Sequence, residues 1–260
     1  MVALGPGPSR PLAGGSGGVA ILSAMTENVT IATDAGEMPA RLWLPPTGHG
    51  PGVVVLQEIF GVSDYIQRRA AQIAEAGYVV VAPEIFWRLG VTEPVEGDDA
   101  LQQGMALVQR LDWQAAVTDA AATVEWLRGR DEVTGGVSAL GFCFGGGLGY
   151  NLAAHLESDG AAPLDALVSY YGSALPGLHD SLTVTAPSLH HFGLADSFID
   201  TETVRRIEAS LTAQPDTVVE TYAGADHAFD NDDMQWHDPA SSTLAWSTTM
   251  EFLRERLPVA

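Results

Sequence analysis

The chain has 260 residues with 46% apolar content, enough for one large domain with a substantial core. Its 33 acidic residues outweigh 12 basic ones, all arginine, for a formal net charge of -21, which disfavours nucleic acid and anionic membranes as partners. The single cysteine excludes an intrachain disulfide and a Cys-rich zinc site, and no apolar run approaches the roughly 20 residues of a membrane span.

Residues 1–24 are rich in Gly, Pro and Ser, and their best apolar patch, Val19-Ala20-Ile21-Leu22, is too short for a signal-peptide core. We read them as a disordered leader ahead of a single domain over 25–260, and expect a cytoplasmic protein. Asn28 to Thr33 and Met38 to Pro45 read as strands joined at Ala35-Gly36. Val53 to Leu56 is a continuous apolar run, as a strand covered on both faces requires. The next segment is helical, capped at Ser63-Asp64, with Ile66, Ala70, Ile73 and Ala74 on one face and Gly77 at its end. Tyr78 to Ala82 is a further strand, stopped by Pro83. Ala100 to Arg130 has a helical pattern, in one or two helices. Val137 to Cys143, Leu164 to Tyr171, Ser188 to Phe192 and Thr217 to Tyr222 read as strands. Helices are expected over Gly147 to Leu156, Thr203 to Ala213 and Thr243 to Leu257. This alternation implies an α/β fold with a mostly parallel sheet and helices on both faces. Such sheets place reactive residues beyond the carboxyl ends of their strands.

Gly141-Phe142-Cys143-Phe144-Gly145-Gly146 lies between a strand and a helix. That is the setting of a nucleophile elbow, with cysteine in place of the usual serine. Glycines two residues to either side would keep strand and helix from clashing, and the first amides of the helix would favour a thiolate and later an oxyanion. Gly145-Gly146-Gly147 is not followed by Lys-Ser/Thr, so a phosphate-binding P-loop fails. The same residues also fit a plain Gly-rich turn holding a small buried cysteine.

Two other residues sit just past strands. Asp196 ends Phe192-Gly193-Leu194-Ala195-Asp196, and His227 ends Gly224-Ala225-Asp226-His227. The chain order nucleophile, acid, histidine is that of α/β-hydrolases. A free thiol, with a pKa of about 8.5, needs a base to become a nucleophile at neutral pH. Histidine can take that proton and return it, and a carboxylate fixes its tautomer. Asp200 and Asp226 compete with Asp196 for the acid role. Asp200 better suits a helix N-cap, and Asp226 adjoins His227 with its side chain directed away. His190 and His191 lie inside a strand, as core or pocket wall, while His49, His155, His179 and His237 read as surface residues. No metal-ligand pattern is present. Glu58, in Gln57-Glu58-Ile59-Phe60-Gly61, follows its strand in the loop that normally supplies the second oxyanion donor, and would face the nucleophile.

Together these segments resemble the dienelactone hydrolase family of the α/β-hydrolase superfamily. The resemblance also rests on Pro83-Glu84-Ile85-Phe86-Trp87-Arg88, Tyr170-Tyr171-Gly172 and Gly224-Ala225-Asp226-His227-Ala228-Phe229. It implies an α/β-hydrolase fold and a Cys143–His227–Asp196 triad. It implies an oxyanion hole from the backbone amides of Ile59 and Phe144, with Glu58 contacting the resting thiol. In the family's dienelactone-cleaving members arginines hold a substrate carboxylate. Arg88 matches one, with Phe60 and Tyr171 beside it in the pocket. Where the other is expected, four residues past His227, this chain has Asn231, and Ala228 replaces a serine. Ester-hydrolase chemistry therefore transfers and dienelactone as substrate does not. The expectation is a hydrolase for a small ester or lactone, working through a thioacyl-enzyme without cofactor or metal, as a monomer or weak homo-oligomer. The alternatives are acyl transfer on the same fold, or a non-catalytic ligand-binding or thiol-sensing protein.

Overall fold

The computed structural model describes residues 25–259, so the leader reading of residues 1–24 lies outside the described residues. The chain builds an eight-stranded sheet of order β1-β2-β4-β3-β5-β6-β7-β8. The strands are β1 (Met25–Thr33), β2 (Gly36–Leu44), β3 (Gly50–Leu56), β4 (Val79–Pro83), β5 (Val133–Phe142), β6 (Ala166–Tyr170), β7 (Ser188–Gly193) and β8 (Thr217–Tyr222). The hairpin β1–β2 and the β2–β4 pair are antiparallel, and every other pairing is parallel.

Most elements fall where the periodicity puts them, with ends that differ by up to a few residues. The first hairpin pairs from Met25↔Leu44 to Thr33↔Gly36, so its turn is the two residues Asp34-Ala35 and its strands are longer than expected. β5 begins at Val133 rather than Val137, because Val133 pairs with Gly50 ahead of a register shift. The last helix begins at Pro239, where the Asp238 carboxylate caps the Ser241 amide. A 3-10 turn over Ile85–Leu89 and a short helix at Leu175–Leu178 were not foreseen.

The continuous apolar strands are explained by helices on both faces. Val54 and Leu56 of β3 enter one core, and Val53 and Val55 the other. Val79 and Val81 of β4 likewise oppose Val80 and Ala82. Successive side chains point to opposite faces, and full burial of each large one stabilises by roughly 1.5–3 kcal/mol. One face is covered by α1 (Asp64–Glu75) and α7 (Pro239–Arg256). The other is covered by α2 (Ala100–Arg110), α3 (Trp113–Arg128), α4 (Phe144–Ser158), α5 (Leu175–Leu178) and α6 (Thr201–Leu211). No helix of the described residues is long and apolar enough to cross a membrane.

Candidate active site

The elbow is built as its glycines require. Cys143 sits between β5 and α4 with φ 52 and ψ -113, a left-handed conformation that costs a non-glycine residue energy. The bend is held from both sides: the Cys143 amide donates to Tyr170 O at 2.9 Å, and its carbonyl accepts from Ser173 N at 3.1 Å. A Cβ on Gly141 would lie 2.1 Å from Gly145 O, and one on Gly145 would lie 2.3 Å from Leu56 O. Only glycine allows strand and helix to approach so closely.

Beyond β7, the Asp196 carboxylate is enclosed and fully used. Its Oδ1 accepts the Phe198 and Ile199 amides at 2.7 and 2.9 Å, and its Oδ2 meets His227 Nδ1 at 2.8 Å. His227, beyond β8, reaches Cys143 Sγ through Nε2 at 3.1 Å. Asp200 caps α6 through the Thr203 amide. Asp226 ties the loops together, accepting from the Ser197 amide and hydroxyl and from His227 N. Both competitors of Asp196 are thus occupied elsewhere. Burial opposes a charge on His227, but its hydrogen bonds to Asp196 and Cys143 prevail and raise its pKa to about 10.

Glu58 follows β3 and lines the same cavity, 1% exposed. No hydrogen bond joins Glu58 to the thiol. Cys143 pairs with His227, while Glu58 Oε2 accepts from Asn231 Nδ2 at 2.7 Å and Oε1 has no partner. Burial pushes this carboxyl up from 4.5 to about 7, against the Asn231 hydrogen bond and the nearby His227. Asn231, which entered the sequence reading as a lost arginine, is the buried residue that holds Glu58.

The remaining expectations divide. Ile59 and Phe60 line the cavity. The Phe144 amide opens α4 and so has no acceptor in its own helix. Tyr171 lies beneath the site rather than in its wall. It is fully buried, its ring 5.1 Å from that of His227 and its hydroxyl 3.5 Å from that of Tyr65. Arg88 is a correction: it does not line the cavity. Its Nε and Nη2 bond both oxygens of buried Asp119 at 2.8 and 2.6 Å, and Nη2 also meets Asp34. Asp119 takes the Trp87 indole N–H as well, so this cluster anchors the 3-10 turn to α3. His179, expected at the surface, is buried. His190 and His191 are core residues of β7, and burial drives both down to about 3. Among the described residues no group of His, Cys, Asp and Glu is placed to hold a metal ion.

The cavity encloses about 180 Å³ above Cys143. Its walls include Leu101 and Met105 from α2, with Phe198 and Trp236 from the loops after β7 and β8. Phe198 packs on His227 at 4.9 Å and meets Trp236 edge-on at 6.1 Å. The spacing of Leu101, Met105 and Val108 marks one helix face, a visible signal for this wall. Asp230 was missed altogether. It is buried and accepts from Tyr65 Oη at 2.5 Å, Arg69 Nη2 at 2.7 Å and Ser242 Oγ at 2.8 Å, pinning the histidine loop to α1 and α7.

A mostly parallel sheet with a sharp strand-to-helix elbow at Cys143 after β5, Asp196 beyond β7 and His227 beyond β8 is the arrangement of the α/β-hydrolase class. The family model of the dienelactone hydrolase family matches residues 38–257. The chain belongs to the dienelactone hydrolase family, and is with it a hydrolase of the ester- and lactone-cleaving class. It is 32% identical over 239 residues to a carboxymethylenebutenolidase of Pseudomonas sp. (strain P51), covering 90% of this chain and 98% of that one. A carboxymethylenebutenolidase of Rhodococcus opacus is 32% identical over 227 residues, 82% of this chain and 84% of its own. The crystal structure of a proposed dienelactone hydrolase from Klebsiella pneumoniae subsp. pneumoniae MGH 78578 superposes with a TM-score of 0.78. It shares 26% identity and covers 90% of this chain and 99% of that one.

Proposed function

We propose that Cys143, His227 and Asp196 act as a nucleophilic triad that hydrolyses a small ester or lactone through a thioacyl-enzyme. The observation that carries this reading is the unbroken line Asp196 Oδ2, His227 Nδ1, His227 Nε2, Cys143 Sγ, at 2.8 and 3.1 Å, at the base of a cavity. His227 takes the thiol proton, and Asp196 stabilises the imidazolium. The thiolate attacks the carbonyl carbon, and the oxyanion is received by the Ile59 and Phe144 amides. Collapse breaks the ester C–O bond, and the leaving alkoxide takes the proton from His227 Nε2. Water, deprotonated by His227, then attacks the thioester, and the acid leaves as the thiolate is released and reprotonated. Glu58 acts through charge rather than through a hydrogen bond to the thiol. Its ionised form favours the His227 imidazolium and disfavours a second anion at Cys143.

Cys143→Ala should lower kcat for an activated ester by at least about 10,000-fold while the far-ultraviolet circular dichroism is unchanged. Mass spectrometry of wild-type protein quenched during turnover should find the acyl group on Cys143. Undiminished hydrolysis by the variant, or an acyl group on another residue, would remove Cys143 from the mechanism.

A further inference from the structure

The charges around the cavity bear on what it can accept. The walls near Cys143 carry no arginine. Arg88 is committed to Asp119 and Asp34, and Arg69 to Asp230. The titratable wall residues besides Cys143 are Glu58 and His227, and the His227 ring is spanned between Asp196 and the nucleophile. Asn231 gives one amide N–H to Glu58, accepts the Asp233 amide with its oxygen, and is not part of the cavity wall. The rest of the wall is apolar apart from Ser173 and Gln109, neither of which carries a charge. Leu101, Met105 and Phe198 are 37%, 45% and 52% exposed, so an apolar group laid against them removes their surface from water.

Resting on the ester-hydrolase reading above, we propose that this site selects uncharged esters or lactones bearing an apolar substituent, seated on Leu101, Met105, Phe198 and Trp236, and rejects their carboxylate-bearing analogues. A carboxylate there loses its water, meets no arginine, finds both His227 ring nitrogens already engaged by Asp196 and Cys143, and faces the Glu58 carboxyl. Like-charge juxtaposition and an unpaired buried charge each cost several kcal/mol. The net charge of -21 adds a repulsive field for any anion approaching the mouth.

The test uses four p-nitrophenyl esters with the wild-type protein: acetate, pentanoate, monoglutarate and the methyl ester of the monoglutarate, each rate being normalised to hydroxide. The pentanoate should exceed the monoglutarate in kcat/KM by about 100-fold or more, from the unpaired carboxylate. Capping that carboxylate as its methyl ester should recover most of the loss. The pentanoate should also exceed the acetate by at least about 10-fold, from the added methylenes. A monoglutarate rate equal to or above that of the pentanoate overturns the proposal, as does a methyl-capped ester that stays as slow as the acid. In either case the ester-hydrolase reading stands, because turnover was seen. Absence of Cys143-dependent turnover with all four esters overturns that reading and this proposal together.

Discussion

Replacing Glu58 by glutamine should reduce the protein's loss of stability as pH rises. Burial raises the Glu58 carboxyl from 4.5 to about 7, so on unfolding the group gives up its proton more readily. The stability held by the protonated form is complete below about pH 4.5, drains between pH 4.5 and 7, and is gone above about 7. A pKa difference of about 2.5 corresponds to roughly 3 kcal/mol. Glutamine cannot ionise and escapes that loss. It places an amide N–H where Glu58 Oε1 has no partner, a cost of about 1–3 kcal/mol that does not change with pH. Glu84, also raised to about 7 by burial, is common to both proteins and cancels in the comparison. Urea unfolding of both proteins at a series of pH values between 4.5 and 8 measures the difference. The variant should gain roughly 3 kcal/mol on the wild type across that range. Parallel stability curves would show that Glu58 does not titrate across this range and would remove the electrostatic role assigned to it.

Arg88→Ala should leave KM for an ester substrate within about twofold of wild type and cost roughly 3–5 kcal/mol of stability, because Asp119 is left as a buried, unpaired carboxylate. A large rise in KM with unchanged urea stability would return Arg88 to the substrate. Gly145→Ala should lose roughly 3 kcal/mol or fail to yield soluble protein, since its Cβ would meet Leu56 O at 2.3 Å and Gln57 O at 2.5 Å. Gly177→Ala, where a Cβ meets nothing within 4 Å, is the matched control and should be tolerated in the same urea titration.

The parts of this molecule that could be read from sequence are those governed by local rules. β3 and β4 are apolar at successive positions because both faces are covered, and a run such as Val53 to Leu56 says so unaided. The elbow is legible because a φ of 52 at Cys143 and backbone approaches near 2 Å leave glycine as the one residue that fits at 141 and 145. Asp196 and His227 are legible because parallel sheets put their reactive side chains just past strand ends. What escaped was pairing at long range. Asp119 sits on a buried face of α3, 31 residues from Arg88, and nothing near either residue announces the other. Arg88 therefore read as a free cation when it is one half of a buried pair. Asn231 and Glu58 are 173 residues apart, and only the folded chain turns an apparent loss of charge into a specific donor. The stripe Leu101, Met105, Val108 shows a helix face that needs covering, but an amphipathic pattern does not say whether core or substrate covers it.

Glu58 joins these threads. A carboxyl buried with one oxygen unpaired costs the fold free energy that an apolar residue of similar size would not. Costs of this kind concentrate where chemistry needs them. The partner at 231 decides how the cost is expressed. A guanidinium there would hold the carboxylate ionised far into the acid range and present a cation to anionic substrates. The asparagine amide offers one neutral hydrogen bond, which lowers the carboxyl's pKa but leaves it at about 7. Asn231 thus brings no cation to Glu58, whose carboxyl changes charge near neutral pH. On the proposed reading, substrate charge preference, the electrostatic setting of the thiol and the pH dependence of stability all trace to one buried hydrogen bond between β3's loop and the histidine loop.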